Sequence, residues 1–215
     1  LFDLGSYVPA PDMGSNEMDI QIIHDNHSRK LKTDKHSRGG VGRPVVNEGI
    51  PIDDWELTAH GLFTSIKTIE AIDDTLDLSK SKFVVQGFGN VAQYAVELFN
   101  KLGGKVILVS CWDQKSGEPR AYRKLEGIKL KELQDITDSF GGIDRKKAVA
   151  LGYEDIPGEK WIEQDVDILI PAALENSITK NNVNLISKKV KIIAEGANGP
   201  SSSDADKIIQ EKNIF

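Results

Sequence analysis

The residues best suited to chemistry form a short glycine-rich segment, Gly87–Ala92, with the sequence G-F-G-N-V-A. It follows a β-rich run, Lys82–Gln86, and leads into a helical pattern. Gly87 permits a tight turn, Gly89 lets a phosphate approach the backbone, and the small Ala92 lets helix and strand pack closely. A helix N-terminus adds free N–H groups and a positive dipole end. The segment therefore predicts a site for a dinucleotide pyrophosphate, with an ordinary α/β turn as the alternative.

The residues around this turn predict a βαβ unit over residues 81–110. After the turn, apolar side chains recur on one helical face, and Gly103-Gly104 ends the helix. Val106–Val109 is predicted as the second strand. A glycine turn at this place in a βαβ unit is typical of dinucleotide binding. We therefore expect an α/β fold, Rossmann-like and doubly wound, with a mainly parallel sheet and helices on both faces.

Further elements are predicted on both sides of this unit. Short apolar runs predict a third strand at Asp167–Ile170 and a fourth at Val190–Ala194. Helical patterns occupy four other stretches: Asn16–Ser28, Trp55–Ile72, Leu125–Phe140 and Ala205–Lys212. The N-caps expected for the second and the last of these helices are Asp53 or Asp54, and Ser203 with Asp204.

Composition excludes several classes of protein. The 215 residues carry a net charge of -6, which argues against a nucleic-acid surface. Cys111 is the only cysteine, so no internal disulfide forms, which fits a reducing cytoplasm. No apolar run reaches the ~20 residues of a membrane span, so no membrane partner is expected. His24 and His27 have no further ligands at suitable spacing, so no metal is expected.

Two polar residues in the first third of the chain are open to a functional or an ordinary interpretation. Asp12 follows two prolines on a predicted loop, and pattern alone favours a helix cap over a catalytic acid. Thr58 lies in the first turns of a predicted helix, where its hydroxyl is either an ordinary helix threonine or a ligand contact.

Polar and small residues also follow the predicted strands. In NAD-binding folds an acidic side chain near the end of the second strand bonds the ribose. Cys111 occupies that position here, and Asp113, two residues further on, is the substitute. This arrangement favours NAD, with NADP as the alternative. Ala173 and Asn176 follow the third strand and Asn198 follows the fourth, where small residues suit close approach to a nicotinamide ring.

Five segments of the chain, in register, are similar to one known family. In chain order they are Val8-Pro9-Ala10-Pro11-Asp12, Gly42-Arg43-Pro44, Gln86-Gly87-Phe88-Gly89-Asn90-Val91, Pro171-Ala172-Ala173-Leu174-Glu175-Asn176 and Glu195-Gly196-Ala197-Asn198-Gly199-Pro200. Together they resemble the glutamate dehydrogenases and, more broadly, the Glu/Leu/Phe/Val dehydrogenase family. The resemblance spans nearly the whole chain and is more specific than the glycine turn alone.

The resemblance implies reversible oxidative deamination of L-glutamate to 2-oxoglutarate and ammonia, with hydride transfer to a nicotinamide cofactor. It implies that Asp12 transfers protons, which reverses the preference for a cap, and that Thr58 contacts the nicotinamide amide. It also matches other residues to the pyrophosphate, the ribose and the cofactor-facing strand ends. With the turn and the ribose position, the predicted cofactor-binding set is Thr58, Gly87, Phe88, Gly89, Asn90, Val91, Asp113, Ala173, Asn176 and Asn198.

The chain also departs from the family pattern. Within the stretch Gly49–Gly61 only Gly49, Thr58 and Gly61 match clearly. The family's substrate domain lies upstream of the Asp12 segment and is missing, and the chain begins at Leu1 rather than Met. We therefore expect an excised piece, a split-gene product or a degenerate relative. Residues 1–48 are interpreted as a remnant of the hinge or substrate-domain side, and residues 49–215 as the dinucleotide-binding domain.

The sequence thus favours the cofactor-binding portion of an NAD(P)-dependent glutamate dehydrogenase, with weak or no turnover by itself. Two alternatives stay open: a catalytically silent nucleotide-binding or assembly module, and a leucine, phenylalanine or valine dehydrogenase. The expected partners are L-glutamate or 2-oxoglutarate, together with a homo-oligomer, hexameric in the family, or a separate substrate domain. The expected location is the cytoplasm.

Overall fold

The computed structural model describes residues 8–12, 14–31, 40–45, 49–52, 54–138 and 141–215. The chain divides into two compact units, residues 1–58 and residues 59–215. Among the helices of these described ranges, none is long and apolar enough to cross a membrane.

In the first unit, helix α1 (Glu17–Leu31) is capped by Asn16 rather than by Asp12. The Met18 N–H donates to Asn16 Oδ1 at 2.8 Å, and the Asn16 N–H donates to Asp19 Oδ2 at 2.9 Å. This reciprocal pair satisfies N–H groups that the helix itself leaves without partners. The interpretation of Asp12 as the cap, made from pattern alone, is therefore wrong.

Two of the segments that carry the family resemblance contact each other in this unit. The Val41 N–H donates to the Pro9 carbonyl at 2.8 Å. Gly42 has a φ of +70°, and a Cβ there would lie 2.9 Å from Pro11 Cγ. Only glycine fits this approach without strain, and the contact fixes the segment that leads into Asp12.

Helix α2 (Leu57–Ile72) ends the first unit and begins the second. Asp53 lies outside the described residues, and Asp54 lies in a turn three residues before the helix. The predicted apolar face is confirmed, since Leu62 and Ile66 are buried and Phe63 and Ile69 pack against the same core.

The second unit is built on a six-stranded sheet with the order β4-β3-β2-β1-β5-β6. Its strands are β1 (Lys82–Gln86), β2 (Lys105–Asp113), β3 (Glu118–Arg123), β4 (Glu154–Pro157), β5 (Ile168–Pro171) and β6 (Ile192–Ile193). Strands β2, β1, β5 and β6 are parallel to one another, and β3 and β4 extend the sheet antiparallel. The predicted α/β class with a mainly parallel sheet is confirmed.

Helices connect the strands and cover both faces. They are α3 (Asn90–Lys101), α4 (Leu130–Gln134), α5 (Arg145–Ala150), α6 (Ser203–Glu211) and two 3-10 helices, Gly158–Glu163 and Val183–Leu185. On one face, the α2 and α3 side chains form a core in which the Phe83 and Phe99 ring centroids are 4.5 Å apart. On the other face, Val84 packs in a core with Trp161 and Ile209. Because β1 is buried on both faces, its central residues are apolar throughout.

Several predicted elements differ from the structure. The second strand runs on to Asp113 and pairs with β3, a strand that the sequence did not predict. The helix predicted over Leu125–Phe140 is wrong, since the helical part is the five residues of α4. The last helix begins at Ser203, and its cap is Ser202, whose hydroxyl accepts from the Ala205 N–H at 3.3 Å.

Candidate dinucleotide site

The carboxyl ends of β1, β5 and β6 meet at one edge of the sheet. The Ala172 N–H donates to the Gln86 carbonyl at 2.8 Å, which joins the ends of β1 and β5. The Gly196 N–H donates to the Pro171 carbonyl at 2.9 Å, which joins the end of β5 to the loop after β6. A crevice outside the carboxyl ends of parallel strands is where open α/β sheets bind their ligands.

Gly87 allows the backbone to turn between β1 and α3. Its φ is +114°, and a Cβ there would lie 2.8 Å from the Ala172 carbonyl oxygen and 3.3 Å from Ala173 Cβ. Its N–H donates to the buried Ser110 Oγ at 3.2 Å. Gly87 is therefore required by the fold itself, because any side chain would collide with the start of the next loop.

Gly89 has a different role in the same turn. It is exposed, it precedes α3 in an extended conformation, and no described atom lies within 4 Å of where its Cβ would stand. No side chain of the described residues caps this helix N-terminus. The first-turn N–H groups, with exposed Asn90 and half-buried Val91 beside them, thus face open space. An anion fits there, because the helix dipole and the free donors both favour it.

The peptide between these glycines is held in place by a side-chain network. Phe88 is buried, and its carbonyl accepts a hydrogen bond from Gln93 Nε2 at 2.8 Å. Gln93 Oε1 in turn accepts from Gln134 Nε2 of α4 at 2.9 Å. These bonds fix the orientation of the turn and leave the Gly89 side of it open.

The loops after β5 and β6 carry the other predicted contacts. Ala173 is half-buried beside the glycine turn, whereas Asn176 and Asn198 are exposed. Asn176 adopts a φ of +53°, and its N–H donates to the Gly199 carbonyl at 3.1 Å. Left-handed backbone at a non-glycine residue is uncommon and often marks a functional site. The two asparagines are thus on loops joined by a backbone hydrogen bond.

Asp113 lies at the carboxyl end of β2, and its carboxylate is engaged by its own turn. It accepts hydrogen bonds from Ser116 Oγ at 2.7 Å and from the Lys115 N–H at 3.0 Å. The Ser116 hydrogen bond lowers the pKa of this carboxyl below its usual value. The Arg145 guanidinium is 3.9 Å away. A cleft of about 1040 Å³ opens beside Asp113, on the side of the sheet edge where dinucleotide-binding folds receive adenosine.

Cys111 and Asp113 both lie in the last three residues of β2. Cys111 lies within β2, two residues before its end, so Asp113 occupies the terminal position. Burial raises the pKa of the Cys111 thiol to about 11. A thiol with such a pKa stays protonated at neutral pH and is a poor nucleophile.

The structure brings together eight of the predicted site residues at the edge formed by β1, β5 and β6: Gly87, Phe88, Gly89, Asn90, Val91, Ala173, Asn176 and Asn198. Asp113 stands at the neighbouring strand end. Asp12 and Thr58 belong to the 1–58 unit, and both are exposed. Among the described residues, no hydrogen bond engages the Asp12 carboxylate. No group of three or more acidic, histidine or cysteine side chains in those ranges is arranged to hold a metal.

Sequence reasoning missed the residues that hold the site in shape. Gln93, Ser110 and Ser177 each bond to a site loop through a side chain. Gln86, directly before the glycine turn, donates from Nε2 to Ser177 Oγ at 3.0 Å. A long amide at the end of an otherwise apolar strand was the available signal, because such a group needs a partner when it is buried.

A mainly parallel sheet with a glycine turn at a helix N-terminus and polar loops at the adjacent strand ends defines the Rossmann-type class of dinucleotide-binding folds. The sequence model described as Glutamate/Leucine/Phenylalanine/Valine dehydrogenase matches residues 49–215. The chain therefore belongs to the Glutamate/Leucine/Phenylalanine/Valine dehydrogenase family.

Similar proteins come from several organisms. The chain is 34% identical over 213 residues to the cryptic catabolic NAD-specific glutamate dehydrogenase GudB of Bacillus subtilis, covering 97% of this chain and 45% of that protein. It is 32% identical over 207 residues to the NAD-specific glutamate dehydrogenase of Clostridioides difficile, covering 96% and 47%. The chain thus spans about half the length of the curated relatives it matches.

A solved structure shares the fold. The hetero-hexameric glutamate dehydrogenase of Thermus thermophilus superposes with a TM-score of 0.75 at 20% identity, over 96% of this chain and 45% of that one. At this level of identity the likeness establishes the fold alone.

Proposed function

We propose that this chain is the cofactor-binding portion of an NAD-dependent glutamate dehydrogenase, which deaminates L-glutamate oxidatively to 2-oxoglutarate and ammonia. One observation carries the proposal: a glycine turn with open space over Gly89 lies at the edge where the loops after β5 and β6 converge. The bound nicotinamide would accept the hydride from the amino acid. Family membership and the names of the relatives supply the reaction class.

Each part of the site has a role in this proposal. The N–H groups after Gly89 hold the pyrophosphate, and the fixed Phe88 peptide keeps them aimed outward. Asp113 accepts from the hydroxyls of the adenosine ribose, and the cleft beside it receives the adenine. Thr58, Asn176 and Asn198 are assigned to the nicotinamide half of the cofactor by hydrogen bonding, and small Ala173 lets the ring approach the backbone.

Asp12 is the proposed proton-transfer residue. Its carboxylate is exposed, and no hydrogen bond to another described residue engages it, so it is available to move a proton to and from an amine or water. The ordered contact between the Pro9 and Val41 backbones supports a fixed position for the segment that carries it. Substrate binding, by L-glutamate or 2-oxoglutarate, is part of the same proposal.

We infer that NAD is preferred over NADP. The buried Asp113 carboxylate at the end of β2 disfavours a 2′-phosphate by charge repulsion, whereas it accepts from a ribose hydroxyl. The relatives reported above are named NAD-specific, which supports the same choice.

The organisation of the whole protein also stays a proposal. The family match begins at residue 49, which supports a dinucleotide-binding domain over residues 49–215 and a hinge-side segment over residues 1–48. A hexameric or other oligomeric assembly is supported by the Thermus thermophilus neighbour, described as hetero-hexameric. We place the protein in the cytoplasm, where a lone reduced cysteine is expected.

The direct test is a titration of NADH, followed by its fluorescence, into the wild-type chain and the Gly89→Trp variant. A tryptophan at this open position fills the space where the phosphates would lie without meeting a described atom near its Cβ. We expect saturable binding by the wild type and none by the variant. Lys101→Trp is the matched control, because it introduces the same side chain at the exposed far end of α3.

Binding that survives Gly89→Trp, or wild-type protein that binds no nicotinamide nucleotide, would contradict the proposal. The second outcome would favour a catalytically silent assembly module. Because weak or no turnover is expected of this chain by itself, glutamate-dependent formation of NADH is followed by its absorbance after a separate substrate-domain chain has been added. Leucine, phenylalanine and valine serve as the competing substrates.

A further inference from the structure

Gln86 connects the central strand to the loop that carries Asn176. Its side chain leaves the carboxyl end of β1, and Nε2 donates to Ser177 Oγ at 3.0 Å. These two residues are 91 positions apart in sequence, so the bond ties together two segments that nothing local would align.

Ser177 is the centre of this connection. Its hydroxyl donates to the Leu174 carbonyl at 2.7 Å, which closes the loop 174–177 on itself. Its own carbonyl accepts from Asn182 Nδ2 at 2.9 Å. Because the Ser177 hydroxyl proton is committed to Leu174, its oxygen has only lone pairs to offer. The partner must therefore be a donor, which the amide nitrogen of Gln86 is.

The other end of the Gln86 amide carries a cost. Its Oε1 is buried and has no hydrogen-bond partner among the described residues. A buried acceptor left without a hydrogen-bond partner destabilises the fold. A leucine or methionine would pack at this strand end without that cost, so stability does not explain the glutamine.

The loop that Gln86 holds lies on the nicotinamide side of the proposed cofactor. The glycine turn follows β1. Asp113, the proposed ribose contact, ends β2 on one side of that turn, and the loop 174–177 follows β5 on the other side. A dinucleotide that crosses the edge with its adenosine near β2 has its nicotinamide near β5. Asn176 is exposed there in a left-handed conformation that needs support.

We propose that Gln86 is a positioning residue: through Ser177 it fixes the loop that carries Asn176 and thereby orients the nicotinamide half of the bound cofactor. This inference rests on the proposed function. Gln93 is its counterpart on the pyrophosphate side, where it fixes the Phe88 carbonyl. The two glutamines thus fix the loops that face different halves of one ligand.

The test compares NADH with ADP, which carries the adenosine and the pyrophosphate but no nicotinamide. Dissociation constants of both are measured for the wild type, Gln86→Met and the matched variant Gln93→Met. We expect Gln86→Met to weaken NADH binding about tenfold and to leave ADP binding within about twofold, the scale of one hydrogen bond. Gln93→Met is expected to weaken both ligands.

A spectroscopic readout separates positioning from general destabilisation. At saturating NADH, the Gln86→Met complex is expected to show nicotinamide emission closer to that of free NADH, whereas the Gln93→Met complex keeps the wild-type emission. Ser177→Ala removes the same connection from its other end and should reproduce the Gln86→Met result. The double variant, Gln86→Met with Ser177→Ala, should lose no more NADH affinity than either single variant, because both substitutions act through one contact.

Equal weakening of NADH and ADP by Gln86→Met, or no weakening of either, would overturn the inference while leaving the proposed function intact. A Ser177→Ala variant that binds NADH like the wild type would overturn it as well. Failure of the wild-type chain to bind NADH would overturn the proposed function and this inference with it.

Discussion

The parallel and the antiparallel halves of the sheet are held together differently. Strands β1 and β5 carry almost continuous apolar runs that are buried on both faces. Strands β3 and β4 are polar and are joined by ion pairs. The Asp155 carboxylate oxygens of β4 each lie 2.8 Å from a guanidinium nitrogen, one of Arg120 and one of Arg145. Arg123 forms an ion pair with Glu154.

The difference matches what each half does. The loops that form the candidate site follow β1, β5 and β6. These paired apolar strands hold the starts of the three loops at one edge of the sheet. The antiparallel half ends that edge and supplies one wall of the cleft beside Asp113. Substitutions in the parallel half should therefore affect ligand binding and stability together, whereas those in the antiparallel half should affect mainly stability.

The largest expected effect comes from Gly87→Ala in the parallel half. A Cβ there meets the Ala172 carbonyl oxygen at 2.8 Å in a backbone of positive φ, and we expect a loss of about 3 kcal/mol in the free energy of unfolding. Gly117→Ala in the β2–β3 hairpin is the control. Its φ is also positive, at +67°, but no described atom lies within 4 Å, so about 1 kcal/mol is expected. Urea unfolding measures both, and equal losses would contradict the comparison.

The next effect is expected from Asp155→Ala in the antiparallel half. Asp155 and Arg120 have side-chain exposures of only 13% and 12%, so removing the carboxylate leaves the poorly solvated Arg120 guanidinium with the longer contact to Glu118, at 3.4 Å. We expect a loss of about 2–3 kcal/mol in the free energy of unfolding. Because Asp155 also lines the cleft beside Asp113, the dissociation constant for NADH is expected to rise by less than about tenfold, a smaller effect than the loss of stability. Asp165→Ala, which breaks an exposed pair with Lys189, should lower the stability much less than Asp155→Ala does. A large loss of NADH affinity in Asp155→Ala would show that the antiparallel half determines ligand binding as much as the parallel half does.

A smaller, pH-dependent effect is expected where the halves join. The hydrogen bond from Ser116 lowers the pKa of Asp113, so its stabilising contribution is present above the usual aspartate value of about 3.9 and is lost as the pH falls through the lowered pKa. Asp113→Asn should cost about 1 kcal/mol at neutral pH. Thermal unfolding between pH 7 and pH 3 should show this difference shrinking below pH 4. A stability difference between the wild type and Asp113→Asn that stays constant with pH would show that the charge of Asp113 does not cause it.

The parallel half could be predicted from the sequence because its signals are local. The apolar run before Gly87, the glycine turn and the helical face after it each determine their own structure. The β3–β4 pair could not be predicted in the same way. Its strands are polar and are separated in the chain by residues 124–153. Cross-strand ion pairs such as Arg120 with Asp155 leave no apolar alternation to detect.

The site was predictable to a similar extent. Gly87 and Gly89 were predictable because glycine by itself indicates a tight turn or a close approach to the backbone. The supports of the site, such as Gln93 and Ser177, act through contacts between distant segments. The mistaken cap at Asp12 has a local cause, since Asn16 with Asp19 forms an equally short pattern four residues later.

The most direct test of the account is to map NADH binding by the amide NMR signals of the whole chain. The perturbed amides are expected to cluster in residues 87–91, 173–176 and 196–199, with Asp113 beside them, while those of β3 and β4 change little. Perturbation centred on the two antiparallel strands, or none at saturating NADH, would contradict the claim that the ends of the parallel strands form the cofactor site.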